Sequence, residues 1–281
     1  MKDNMYRTYI LMRKLLMVSS ILVLASCGGG GGGGSGSGDD GFPTPKLPAS
    51  AAKFDNTNAN TIADSAVGFL GTLDSVAQIK TANPPSMPQV IKLVADRVIK
   101  RSRSSGSVAA RTEDISAALC VTGSAIADFD ENANSESGTV SFSNCDIGGG
   151  ILVNGSFIYD ASWNDTTLAY NFHMGGTINF DFGTDLVTIV MNLSESGNDG
   201  TGAFTSTISF SLSGISDGGF LVTTAQPWTG NAFSFQVNSG QLIVYGSDDT
   251  RLRITVTGIN TADVDLDNGS GTFVFDSTIN F

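Results

Sequence analysis

The chain has 281 residues, of which 27 are acidic, 15 basic and one a histidine, for a formal net charge of −12. That balance excludes the extended basic face that phosphate backbones require, so nucleic acid is not an expected partner. A single histidine and three cysteines leave little material for a metal cluster or an acid–base constellation.

The first 26 residues divide into a basic stretch (Arg7, Arg13, Lys14) and a short apolar run from Leu15 to Ala25. The run is too short to span a bilayer, which takes about 20 apolar residues, and has the length of a signal-peptide core. Residues 28–50 follow, rich in Gly and Ser and then carrying Pro43, Pro45 and Pro48. A segment of that composition is expected to behave as a coil, with an r.m.s. reach of about 25 Å.

Leu24-Ala25-Ser26-Cys27 joins those two segments and resembles the lipobox of bacterial lipoproteins. The resemblance covers the N-terminus alone. It implies cleavage before Cys27, acylation of Cys27 and attachment to a membrane of the bacterial cell envelope. Several acyl chains anchor stably because each buried methylene contributes roughly 0.8 kcal/mol. An Asp after the cysteine favours inner-membrane retention in that class; Gly28 stands there, which points to the outer membrane. Loss of Lys2, Asp3, Arg7, Arg13 and Lys14 with the first 26 residues would take the net charge from −12 to −15.

Two helices are expected next. Ile62, Ala66, Phe69, Leu70, Leu73, Val76 and Ala77 form one stripe at helical spacing within residues 58–80. The "NPPSMP" stretch at 83–88 ends that helix, and a second is predicted over about 88–101. Its last turn carries Lys100, Arg101 and Arg103, whose first explanation is charge complementing a helix C-terminus.

From about residue 115 the period changes to two. Phe157 and Tyr159 share a face, as do Tyr170, Phe172 and Met174. Phe204, Ile208, Phe210 and Leu212 alternate with Thr205, Thr207, Ser209 and Ser211. Phe233, Phe235 and Val237 follow the same rule, as do Leu252, Ile254 and Val256. This predicts about ten to twelve antiparallel strands, each with one apolar face. The fold class is mainly β, a curved antiparallel sheet closing as a soluble barrel or sandwich, preceded by the helical pair. A transmembrane barrel is the alternative architecture. The chain divides into a signal peptide (1–26), a lipidated cysteine with a flexible linker (27–57), the helical pair (58–111) and the β domain (112–281). A phrase, Gly138-Thr-Val-Ser-Phe142, recurs as Gly176-Thr-Ile-Asn-Phe180 and Gly271-Thr-Phe-Val-Phe275. It reads as glycine leaving a turn, with Thr and Phe entering a strand.

With Cys27 lipidated, Cys120 and Cys145 remain. Their flanks read as a hairpin turning near Ala133, which predicts a cross-strand disulfide worth roughly 3.5 kcal/mol. Gly214-Ile-Ser216-Asp-Gly218 matches the G-x-S-x-G pattern of hydrolases, but it lies between β-patterned runs and reads as a turn. His173 sits mid-strand with its side chain assigned to the polar face. Asp263, Asp265 and Asp267 share a strand face, and with "DFDEN" at 128–132 they are the Ca²⁺ candidates. Neither has the EF-hand pattern, and an acidic face that protects a sheet edge explains both.

No catalytic constellation and no cofactor motif is present in the sequence, so the expectation is a non-enzymatic binding or structural module. Two uses compete. Phe157, Tyr159, Tyr170, Phe172, Phe180, Phe233 and Phe235 either line a hollow for an apolar ligand, a reading supported by analogy with envelope lipid carriers, or fill a solid core. In the second case an envelope protein or polysaccharide meets the polar outer face or the sheet edges.

Overall fold

The computed structural model describes residues 41–71, 109–147, 150–183, 186–214, 218–231, 234 and 236–280. Among them the chain is mainly β: twelve strands form one sheet in which every neighbour follows in sequence and every pairing is antiparallel. The strands are β1 (Ala109–Asp114), β2 (Thr122–Asn132), β3 (Ser135–Asp146), β4 (Leu152–Trp163), β5 (Ala169–Asp181) and β6 (Leu186–Asn198). They continue as β7 (Ala203–Ser213), β8 (Phe220–Asn231), β9 (Gln236–Tyr245), β10 (Arg251–Gly258), β11 (Thr261–Asp267) and β12 (Val274–Asn280). The order runs from β1 to β12 with no ladder joining the two among the described residues, so the sheet is open.

Alternation dictates which face is dry. In β10 Leu252, Ile254 and Val256 point into the core while Arg251, Arg253 and Thr255 point out. In β6 Val187, Ile189, Met191 and Leu193 are buried between half-exposed neighbours. One apolar core gathers residues from β2 through β12. The outward face mixes hydroxyls and carboxylates with half-buried apolar side chains such as Ile158, Val190, Leu221 and Ile243.

Of the first predicted helix (58–80), the described part forms α1 (Ala59–Gly71); Leu73, Val76 and Ala77 lie outside the described residues. Ahead of it, the Asp55 carboxylate accepts from the Thr57 backbone N–H at 2.8 Å, and the Asn58 carbonyl accepts the first helical bond from Ile62. Its apolar stripe, Ala59, Ile62, Ala63, Ala66 and Val67, is buried in the same core, against β10, β11 and β12. The second predicted helix, with Lys100, Arg101 and Arg103, lies outside the described residues, and so does Cys27. A further helical turn, α2 (Ser116–Leu119), precedes β2.

The linker reading changes from Phe42 onward. Residues 42–57 are a strap packed against the sheet. Phe42 and Pro43 lie on the outer face over Gly175, whose missing side chain makes the room. Ala51 bridges Gly219, and Phe54 is completely buried, its N–H donating to Thr250 Oγ1 at 3.1 Å. Composition hid this because Phe42, Ala52 and Phe54 are dispersed among prolines and polar residues. Full burial of one aromatic contributes about 2–3 kcal/mol, enough to hold such a segment down.

The β2–β3 hairpin turns through Ala133 and Asn134, with Asn132 opposite Ser135. Cys120 and Cys145 form a disulfide with their Cα atoms 5.1 Å apart. Cys120 sits at the end of α2 rather than inside β2, so the bridge ties the helical turn to β3. The recurring glycine phrase has a different cause from the one expected. Gly138 and Gly176 lie within β3 and β5, where a Cβ would strike the Tyr159 ring or come within 2.6 Å of Phe157 Cβ. Both let a neighbouring strand's backbone approach closely, at the Asp128 and Ser156 carbonyl oxygens, and Gly138 also leaves room for the Tyr159 ring. Only Gly271, with φ of +82°, stands in a loop before its strand.

Candidate functional site

The ladder register turns scattered hydroxyls into ordered rows on the outer face. One row crosses six strands: Asp130, Ser137, Asp160, His173, Ser194 and Thr207 face one another in sequence. A second row runs beside it through Ser135, Ser162, Asn171, Ser196 and Thr205. Adjacent strands lie about 4.8 Å apart, so each row presents a polar side chain at that interval.

These rows line a cleft of about 540 Å³ over β3 to β7. A second cleft of about 540 Å³ lies beside it, bounded by Phe42, Asp128, Asp130, Thr139 and Ile158. The two share Ser137 and Asp160, which makes one trough from β2 to β7. Among the described residues no lysine or arginine lines either cleft.

His173 stands on the outer face, as alternation assigns it. Its ring stacks on Phe42 with centroids 3.6 Å apart. Nε2 donates to Asn192 Oδ1 at 2.8 Å, and Asn192 Nδ2 donates to the Pro43 carbonyl at 3.4 Å. Nδ1 lies 3.7 Å from an Asp160 carboxylate oxygen. The histidine thus pins the strap to the trough, and among the described residues no serine or cysteine is bonded to it.

Under the trough, the inner face holds buried carboxylates that the sequence reading did not single out. Glu136, Ala161, Phe172, Glu195, Ser206 and Trp228 form one inward row. Tyr159 donates to Glu136 Oε1 at 2.5 Å, and Tyr170 donates to Glu195 Oε1 at 2.8 Å. Burial pushes the Glu136 carboxyl up to about 7 despite the Tyr159 hydrogen bond. Burial likewise pushes Glu195 up to about 7, and both tyrosines are driven well above their ordinary value. Glu131, beside Glu136, pairs with Arg111 at 3.7 Å. The available signal was phase: Glu136 and Glu195 fall on the apolar positions of their strands, in step with Val140 and with Leu193.

The aromatic set separates. Phe157, Tyr159 and Phe180 belong to the apolar core, and Phe157 packs on Phe142 with centroids 6.2 Å apart. Tyr170 is buried with its hydroxyl on Glu195, and Phe172 packs half-buried against the core. Phe233 and Phe235 lie outside the described residues. So do Ile215, Ser216 and Asp217, the centre of the G-x-S-x-G match.

The three aspartates of β11 share the outer face, as expected, and each has its own partner there. Asp263 accepts from Thr278 at 2.8 Å, Asp265 pairs with Arg253 at 2.8 Å, and Asp267 pairs with Arg251 at 2.5 Å. Hydrogen bonds from Arg251 and from the Gly269 and Gly271 N–H groups hold Asp267 below the usual carboxylate range. The "DFDEN" carboxylates are split by the strand: Asp128 and Asp130 face out, and Glu131 faces in. No group of three potential metal ligands converges among the described residues.

Fold and site together define a class: an antiparallel twelve-strand meander with a polar trough on its outer face. The sequence matches no family model, no curated protein and no solved structure.

Proposed function

We propose that this chain is a non-enzymatic binding module of the bacterial cell envelope, anchored through lipidated Cys27, whose partner-contacting surface is the outer trough of β2 to β7. The observation that carries the reading is the pair of polar rows lining that trough, Ser137, Asp160, His173 and Ser194 in one and Ser162, Asn171 and Ser196 in the other. The lipobox-like Leu24-Ala25-Ser26-Cys27 supports the address, and the Cys120–Cys145 disulfide suits an oxidising compartment. A finer fold follows from area. Among the described residues α1 packs chiefly on β10 to β12, yet one face of β2 to β9 is equally dry, which supports a sheet curled so that its apolar side covers itself. Phe157 and Phe180 belong to the apolar core, which supports the surface reading over a carrier for an apolar ligand.

Two measurements test this. A Cys27→Ala chain is expected to leave the membrane fraction after high-salt washing; retention there would contradict the anchor. A photo-crosslinking residue at Ser194 in the full, lipidated chain is expected to give an envelope adduct in cells, and the same residue at Thr255, outward on β10, is not. Adducts from neither position, or equally from both, would contradict the trough.

A further inference from the structure

Resting on that reading, we infer that the trough binds a glycan that carries free amino groups. The class follows from what the trough has and what it lacks. Protein interfaces of useful affinity depend on buried aromatic or arginine anchors. Among the described residues the trough has no arginine, and its aromatic lining, Phe42, Phe129, Tyr159 and Phe172, is half-buried or buried. Its outward side chains are mostly short hydroxyl, amide and imidazole groups, which both donate and accept and lose little rotamer entropy when they are held. Ordered rows of such groups suit a polymer of hydroxyls. Five strand intervals give the trough a length of about 24 Å, enough for an extended chain rather than one small molecule.

Charge narrows the class further. Asp128, Asp130 and Asp160 are exposed along one end and wall. Among the described residues no lysine or arginine lines the clefts, so a sulfated, phosphorylated or carboxylated polymer meets carboxylates there without a compensating cation. An ammonium group on a sugar is attracted, and the hydrogen bond it donates to a carboxylate is stronger than a neutral one. The ring of Phe42, held flat by His173 and by the Asn192 contact to Pro43, provides a surface for the apolar face of a pyranose.

The test uses the full chain in detergent with a chitosan hexamer as the probe. Comparison ligands are the fully N-acetylated hexamer, heparin and a lysine hexapeptide. Saturable binding of the chitosan hexamer is expected, weakened at least tenfold by N-acetylation and at least tenfold by the Asp130→Asn, Asp160→Asn pair. Heparin should not bind. The inference is overturned if the chitosan hexamer does not bind, if the aspartate pair leaves its affinity unchanged, or if the lysine peptide binds as tightly through the same carboxylates. Cross-linking from Ser194 separates this from the parent reading. An adduct that protease removes, together with no chitosan binding, keeps the trough as an interface and discards the glycan.

Discussion

The two halves of the sheet treat their carboxylates in opposite ways. Across β10 and β11 the outer face is closed by ion pairs: Arg251 holds Asp267, Arg253 holds Asp265, and both guanidinium groups stand over the Phe273 ring at 5.1 and 4.6 Å. Beneath them the inner face is purely apolar, with Leu242, Val244, Leu252, Ile254 and Val264 fully buried. Across β3 to β6 the arrangement inverts. The outer carboxylate Asp160 borders an open trough, and the inner face carries Glu136 and Glu195 under their tyrosines. Asp265 and Asp267 are each covered by an arginine, whereas Asp160, beside His173, keeps an exposed side chain on the wall of the trough. That difference is the reason the proposed contact is placed on β2–β7.

The largest effect that sharpens this contrast is in pH dependence. Folding raises Glu136 and Glu195 from an ordinary 4.5 to about 7. The native state therefore holds these protons more tightly than the unfolded chain. Their stabilising contribution is complete below about pH 4.5 and is lost as pH rises through about 7. At about 1.4 kcal/mol per pKa unit, each costs about 3 kcal/mol when ionised. Denaturant titrations should show stability falling between about pH 5 and about pH 8, with Glu136→Gln flattening that slope and raising stability at the alkaline end. An unchanged slope in the variant would break the assignment.

Next in size is the paired half. Arg251→Ala strips the guanidinium from a carboxylate with no exposed surface, and the thermal midpoint should fall by several degrees. Arg253→Ala should cost less, because Asp265 keeps 16% of its side chain in water and can be solvated. Equal losses would show that the two pairs do not differ as their burial indicates.

The smallest effect is expected in the trough. Asp130→Asn and Asp160→Asn alter exposed side chains and should move stability by no more than about 0.5 kcal/mol. A calorimetric loss well above that would make these residues structural and weaken the case for contact.

Much of this arrangement was legible in the residues. Strict alternation in stretches such as Leu252–Val256 and Phe204–Leu212 predicted the strands and their buried faces, because a period of two has one physical meaning in a half-buried sheet. The hairpin between Cys120 and Cys145 was readable from its polar turn. The strap was not, because Phe42 and Phe54 take their partners, His173 on β5 and Thr250 in the β9–β10 turn, from far along the chain. The trough also escaped notice. Its side chains lie on five or six strands, and only the register sets Ser137 beside Asp160 and Asp160 beside His173. Gly138 and Gly176 misled for a related reason. A glycine that admits a neighbouring strand's backbone looks, in one dimension, like one that leaves a turn.

The central claim, that the trough and not the paired half meets the envelope, is tested most directly by oxidative footprinting of the full chain in intact cells and again after purification in detergent. Phe42 and His173 report on the trough; Phe275, 61% exposed on β12, reports on the far half. The account predicts that Phe42 and His173 are oxidised markedly less in cells than in detergent while Phe275 is unchanged. Protection confined to Phe275, with Phe42 and His173 reacting equally in both states, would contradict it.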